Sequence, residues 1–136
     1  MKINKIVETC IYSSNLDSMK NFYTGILGLP LIEEEQGKLI FLKAGKSMLL
    51  VFNPDRTSVS NDQLPTHGAA TPPSCIHFAM EIEDADYQRW KELLVKNKVA
   101  IEKEVSWKDG VKSLYFRDPA GNLAELITPG EWPVES

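Results

Sequence analysis

The spacing of apolar residues changes period several times along the chain, and each change marks an element. Residues 5–12 (KIVETCIY) are rich in β-branched and apolar positions and stop at Ser13-Ser-Asn15, which predicts a strand. Leu16, Met19, Phe22, Tyr23, Ile26 and Leu27 then recur at three-four spacing, one stripe of a helix over 16–27. Asn15 is placed to cap it, because a short side-chain carbonyl accepts a hydrogen bond from an orphan backbone N–H. Gly28 ends it by accepting the left-handed conformation. Three short strands follow at 31–35, 38–43 and 47–52, with turns at Gln36-Gly37 and Ala44-Gly45-Lys46.

The order strand-helix-strand-strand-strand then returns. Residues 75–82 (CIHFAMEI) alternate strictly: Ile76, Phe78, Met80 and Ile82 face one way, Cys75, His77, Ala79 and Glu81 the other. Asp84 is positioned to cap a helix over 85–96 whose stripe is Tyr87, Trp90, Leu93 and Leu94. Strands are predicted at 99–105, 112–117 and 123–128, the last two joined by Asp118-Pro-Ala-Gly-Asn122, whose proline and glycine are turn formers. Between the halves, residues 53–73 hold Pro54, Pro65, Pro72 and Pro73 with little periodicity, a functional loop or linker longer than most connections.

The repeat is legible in register as well as in order. Glu8 aligns with His77 (77 − 8 = 69) and Pro54 with Pro129 (129 − 54 = 75), so the copies differ by a few inserted residues. A four-stranded module with one helix leaves a sheet face uncovered. The expected fold is therefore α+β, two βαβββ modules forming one cupped mixed β-sheet with the helices outside. As one domain over 1–136, it comprises module one at about 4–54, the loop at 55–73 and module two at about 74–129.

Composition narrows the function classes. The 136 residues carry 15 Lys+Arg against 19 Asp+Glu, a net charge of −4, which lacks the basic excess that phosphate neutralisation needs and argues against nucleic-acid binding. The longest apolar run, residues 48–52, is far too short to cross a bilayer. Two cysteines make no disulfide framework, and residues 1–12 lack a secretory pattern, so the expected setting is cytoplasmic. A hydrophobic fraction of 43% is enough for a folded core.

Few residues can carry chemistry. His77, one of two histidines, falls on the uncovered face of its strand. Glu125 interrupts the apolar run Leu123-Ala-Glu-Leu-Ile127, and a carboxylate there either points to solvent or has a partner such as a metal or cation. Glu8 interrupts the first strand at the position equivalent to His77. One imidazole and two carboxylates on central strands suit Zn²⁺, Ni²⁺, Mn²⁺, Fe²⁺ or Mg²⁺ and leave positions open for water or substrate. His67, beside Gly68 in the long loop, is a candidate lid residue, acid/base group or fourth ligand. Cys10 and Cys75 read as small wall residues. Tyr12, Trp107 and Arg117, near strand ends, are candidates for a substrate wall, with Phe52 and Tyr115 as further lining.

Four stretches resemble the vicinal oxygen chelate superfamily of glyoxalases, bleomycin-resistance proteins and extradiol dioxygenases. They are residues 8–17 (ETCIYSSNLD), 22–29 (FYTGILGL), 77–80 (HFAM) and 114–126 (LYFRDPAGNLAEL), with FYxxxLGL and DPxGNxxEL the specific patterns. The resemblance implies paired βαβββ modules, a homodimer, and one divalent metal that acts as Lewis acid on a small-molecule substrate. Ligand positions on the first and fourth strands of each module match Glu8, His77 and Glu125, whereas the first module's fourth strand offers only Leu49 and Leu50. Glyoxalase-type isomerases carry an acid or amide there, which argues against lactoylglutathione lyase activity. Glu8 in place of a histidine argues against iron-dependent oxygen activation. The expected function is a metal-dependent lyase, isomerase, dioxygenase or transferase acting on a small oxygenated metabolite or xenobiotic. The alternative is a metal-free binding protein of the bleomycin-resistance kind.

Overall fold

Among the described residues, strand pairing stays within each half of the chain. The computed structural model describes residues 1, 6, 8–57 and 76–130, which divide between two compact units, Met1–Ser74 and Cys75–Ser136. The expectations for His67, Cys75 and most of the 53–73 loop lie outside the described residues.

In the first unit, β1 (Glu8–Tyr12), β2 (Leu31–Glu35), β3 (Leu39–Ala44) and β4 (Ser47–Phe52) form a sheet of order β1-β4-β3-β2. In the second, β5 (His77–Glu81), β6 (Ile101–Ser106), β7 (Lys112–Arg117) and β8 (Leu123–Ile127) repeat that order as β5-β8-β7-β6. The first and last strands of each unit pair in parallel, and all other pairs are antiparallel. The helical crossover after each first strand makes this possible, since a parallel partner needs a long connection and a hairpin does not. It also corrects one expectation. β1 and β5, which carry Glu8 and His77, are edge strands of their own sheets, and the central positions belong to β4 and β8 with their hairpin partners β3 and β7.

The first crossover begins as expected. Asn15 caps α1 (Leu16–Lys20) by accepting from the Ser18 N–H at 3.1 Å. Beyond it, residues Asn21–Ile26 wind as a π-helical turn in place of an α-helix, with the Leu27 N–H reaching the Phe22 carbonyl at 3.2 Å. The wider turn lets consecutive Phe22 and Tyr23 both enter the core, their rings edge-to-face at 5.1 Å. Gly28, at φ 73°, closes the segment.

The second crossover departs from expectation at its start. Asp84 does not cap the helix; it lies inside a 3₁₀ turn, Asp84–Asp86, and its carboxylate stands 3.7 Å from the Lys112 ammonium. The α-helix proper is α3 (Tyr87–Lys96), with Tyr87 and Leu94 buried. A short helix, α2 (Pro54–Thr57), follows β4. No helix among the described residues is long and apolar enough to cross a membrane.

α3 is fastened to β6 by polar groups. The Tyr87 hydroxyl and the Lys91 ammonium both donate to the Glu104 carboxylate, each at 2.8 Å, and the Lys112 ammonium stands 4.6 Å from the Tyr87 ring centre. Burial first, then the Glu104 carboxylate, push the Tyr87 phenol up to about 12. The folded state therefore holds the phenol proton more tightly than the unfolded chain, whose tyrosine ionises near 10. The stability this supplies is complete below pH 10 and is lost as pH rises through 12. Thermal melting between pH 8 and pH 11.5 checks this: the wild type is expected to lose stability more steeply above pH 10 than Tyr87→Phe. Parallel curves would show that this phenol does not set the alkaline limit.

Candidate functional site

Side-chain chemistry gathers on one face of the second sheet. The β5–β8 register pairs His77 with Leu123 and Ala79 with Glu125, and the β7–β8 register pairs Tyr115 with Glu125. The opposite face of the same strands is apolar, with Leu114, Phe116, Ala124 and Leu126 buried. The alternation read from residues 75–82 is thus observed for the strand: His77, Ala79 and Glu81 are exposed, while Phe78 and Met80 are half-buried.

The His77 ring is held from three sides. Its Nδ1 lies 3.0 Å from the Leu123 carbonyl, its Nε2 lies 3.2 Å from Glu125 Oε1, and its ring stacks on Tyr115 with centroids 5.9 Å apart. A backbone carbonyl only accepts, so Nδ1 carries the hydrogen in that contact. In the neutral imidazole Nε2 then turns a lone pair toward a carboxylate oxygen. Two acceptors at 3.2 Å need a proton or a cation between them.

Glu125 is 5% exposed, and its other oxygen is also engaged. Oε2 accepts from the Ser113 hydroxyl at 2.6 Å, and Ser113 Oγ accepts from the Trp107 indole N–H at 2.9 Å. Ser113 is fully buried, and it reaches Glu125 diagonally because its direct cross-strand partner is Ile127. Trp107 follows β6 at a tight turn in which Asp109 takes φ 60° and Gly110 φ 79°, bringing the Trp107 N–H to the Val111 carbonyl at 2.7 Å.

The turn between β7 and β8 fixes where Leu123 and Glu125 fall. Asp118 Oδ1 accepts from the backbone N–H groups of Ala120 and Asn122, at 2.9 and 3.0 Å. Its Oδ2 accepts from Asn122 Nδ2 at 2.7 Å. Gly121 supplies the φ of 83° that the turn requires. Both Asp118 and Asn122 are buried, so this sequence is a hydrogen-bonded plug beneath the site.

The same register in the first unit exposes the asymmetry of the repeat. Glu8 pairs with Met48 and Cys10 with Leu50, so Leu50 occupies the place that Glu125 holds in the second unit. Around Leu50 the face is apolar: Leu39 and Phe52 are buried with it, and Cys10, Tyr12, Phe41 and Met48 pack against them. Burial, and then the Glu8 carboxylate, raise the Cys10 thiol above its usual range; burial, and then Cys10, raise the Tyr12 phenol. Neither is poised as a nucleophile at neutral pH.

Of the residues singled out from sequence, the structure brings together His77, Glu125, Tyr115 and, through Ser113, Trp107. Glu8 and Tyr12 lie on β1 of the first unit, Glu8 exposed and Tyr12 half-buried with its ring 6.3 Å from that of Phe52. Arg117 closes the DPxGN turn: its guanidinium donates to the Glu102 carboxylate at 2.9 and 3.4 Å and to the Gly121 carbonyl at 3.1 Å. Ser113 was not among the sequence candidates. Its signal was its alternation with Tyr115, which becomes informative only once β7 is known to lie against β8. Among the described residues no three His, Cys, Asp or Glu side chains converge on one point, and His77–Glu125 is the assembled pair.

That pair passes a geometric test for a divalent ion. Nitrogen and oxygen ligands about 2.0–2.2 Å from a metal, at angles between octahedral and tetrahedral, lie roughly 3.0–3.5 Å from one another. The observed separation of 3.2 Å falls inside that interval. The Nδ1–carbonyl bond is the usual outer-sphere support of a ligating imidazole.

Comparison with known proteins agrees with the architecture. The family model described as "Glyoxalase/Bleomycin resistance protein/Dioxygenase superfamily" matches residues 3–126. Metallothiol transferase FosB of Staphylococcus epidermidis is 30% identical over 130 residues, spanning 94% of this chain and 84% of that protein. A crystal structure of lactoylglutathione lyase from Agrobacterium tumefaciens superposes with a TM-score of 0.90 at 33% identity, covering 98% of this chain and all of that one. The fosfomycin resistance protein FosX from Listeria monocytogenes shares the fold, with a TM-score of 0.73 at 17% identity over 96% of this chain and 97% of that one.

Proposed function

Because this chain belongs to the glyoxalase/bleomycin resistance protein/dioxygenase superfamily, we propose that it is a divalent-metal-dependent enzyme acting on a small oxygenated metabolite or xenobiotic. The observation that carries this reading is the approach of His77 Nε2 to Glu125 Oε1, 3.2 Å apart, with Nδ1 at the Leu123 carbonyl. The name metallothiol transferase on a relative of 30% identity supports both the metal and a thiol co-substrate.

In this reading His77 and Glu125 of the second unit hold the metal. When bound, the metal supplies Lewis-acid polarisation of a substrate oxygen. The Leu123 carbonyl fixes the His77 tautomer, and Tyr115 limits rotation of the ring. Trp107, joined to Glu125 through Ser113, is the substrate-wall candidate beside this pair. Leu50 bears on the reaction class. With an apolar side chain at the counterpart of Glu125, that position offers no carboxylate to shuttle a proton. That favours transfer to a polarised electrophile over lactoylglutathione lyase chemistry. Two chains assemble as a homodimer, as the family resemblance implies.

The test is activity after reconstitution with Zn²⁺, Ni²⁺, Mn²⁺, Fe²⁺ or Mg²⁺, assayed with thiols plus small oxygenated electrophiles and, in parallel, with lactoylglutathione. Metal-dependent thiol consumption that chelator abolishes is the expected result. Turnover unaffected by chelator would overturn the metal role.

One observation favours a second reading, that of a metal-free binding protein: the apolar cluster of Leu39, Leu50, Phe52, Phe41 and Tyr12 on the first sheet suits a flat ligand. It predicts ligand affinity indifferent to chelator and sensitive to Phe41→Ala.

A further inference from the structure

The hydrogen-bond chain from Trp107 to Glu125 has only one possible direction. An indole N–H donates and cannot accept, so Ser113 Oγ is the acceptor in that contact. Ser113 has a single proton of its own, and at 2.6 Å that proton points to Glu125 Oε2. That bond fixes the orientation of the carboxylate, with Oε2 toward Ser113 and Oε1 facing His77 Nε2.

Each link comes from a different piece of chain: Trp107 from the β6–β7 turn, Ser113 from β7 and Glu125 from β8. The serine and the glutamate are buried, whereas Trp107 is 40% exposed. We propose that Trp107 and Ser113 are positioning residues that commit Glu125 to binding the cation through Oε1 alone. The inference rests on the reading of His77 and Glu125 as metal ligands and adds to it the way the carboxylate is presented. A carboxylate free to turn would offer both oxygens and fill two coordination positions. One tied through Oε2 would fill a single position and leave the other for a substrate oxygen.

The experiment uses the full chain and Zn²⁺ as probe. The Trp107 indole N–H resonance, assigned by its disappearance in Trp107→Phe, is expected to move when Zn²⁺ is added to the wild type and to stay nearly still in Ser113→Ala. Zinc affinity is expected to weaken about 10–100-fold in Ser113→Ala, the scale of an outer-sphere partner, and about 3–10-fold in Trp107→Phe. Ser113→Thr, which restores a hydroxyl, is expected to recover most of the loss. Wild-type affinity in folded Ser113→Ala would overturn the relay while leaving the metal site standing. Absence of zinc binding to the wild type would remove the metal site, and the proposal with it. Should Ser113→Ala fail to fold, Trp107→Phe decides alone, since its ring is partly in solvent: unchanged affinity overturns the proposal and weakened affinity upholds it.

Discussion

Replacing His77 with alanine is expected to remove divalent-metal binding: affinity for Zn²⁺ or Mn²⁺ should fall by more than about a hundredfold, beyond the 10–100-fold that outer-sphere partners contribute. The reason is local. His77 Nε2 and Glu125 Oε1, the two ligand atoms of the proposed site, are brought together by module two, and the ring's other nitrogen is already used by the Leu123 carbonyl. The His77 side chain is 45% exposed, so its removal opens little core, and a folded protein is expected. Glu125→Gln should act in the same direction, because the amide keeps the shape and gives up the charge. Metal analysis of protein purified without nickel resin, alongside melting curves, measures both quantities. Near-stoichiometric metal surviving His77→Ala combined with Glu125→Ala would refute the assignment.

The second large effect is on stability and lies in the turn that precedes β8. Asp118→Ala leaves the N–H groups of Ala120 and Asn122 and the Asn122 amide without the carboxylate that accepts from all three. Orphaning buried donors costs roughly 2–4 kcal/mol. For a chain of this size the melting temperature is expected to fall by about 6–12 °C. Asp118→Asn is the informative comparison. It can keep the Oδ1 acceptor but loses the bond from Asn122 Nδ2 and the charge beside Arg117, so a smaller drop is expected. A drop below 2 °C for Asp118→Ala, followed by circular dichroism, would show that the turn holds its shape by proline and glycine alone. Because the turn sets the register of β8, Asp118→Ala should also loosen the Leu123 carbonyl from His77.

Much of this was readable before any coordinates, for reasons that differ by element. Period-two alternation survives in β5 because one face meets the core and the other does not, so His77 could be placed on its face from spacing alone. The turn at residues 118–122 was readable because few sequences satisfy a buried Asp, a positive φ and a buried Asn together. The π-helical turn after Lys20 was not readable. Its stripe fits an α-helix equally well, and the choice is made by the packing of Phe22 and Tyr23. Asp84 misled as a cap because capping residues also suit 3₁₀ turns, and a lysine from β7 stands near its carboxylate. Placing Glu8 and His77 on central strands failed because strand order depends on the crossover, which composition does not reveal. The support beneath Glu125 stayed hidden for a related reason: Ser113 and Trp107 gain meaning only from a register between strands.

The confinement of every described strand pair to its own half has a consequence for synthesis. All ladder contacts of the first sheet close between Glu8 and Phe52. A ribosome has therefore delivered the whole of that sheet before His77 is translated. Its parallel β1–β4 pairing, the slow step by sequence separation, need not wait for the second sheet. The half that carries the histidine and the buried glutamate, with their polar support, thus emerges after an apolar half that can already have folded. Duplication of a module in this way lets one copy keep an undemanding interior while the other takes on residues that are costly to bury.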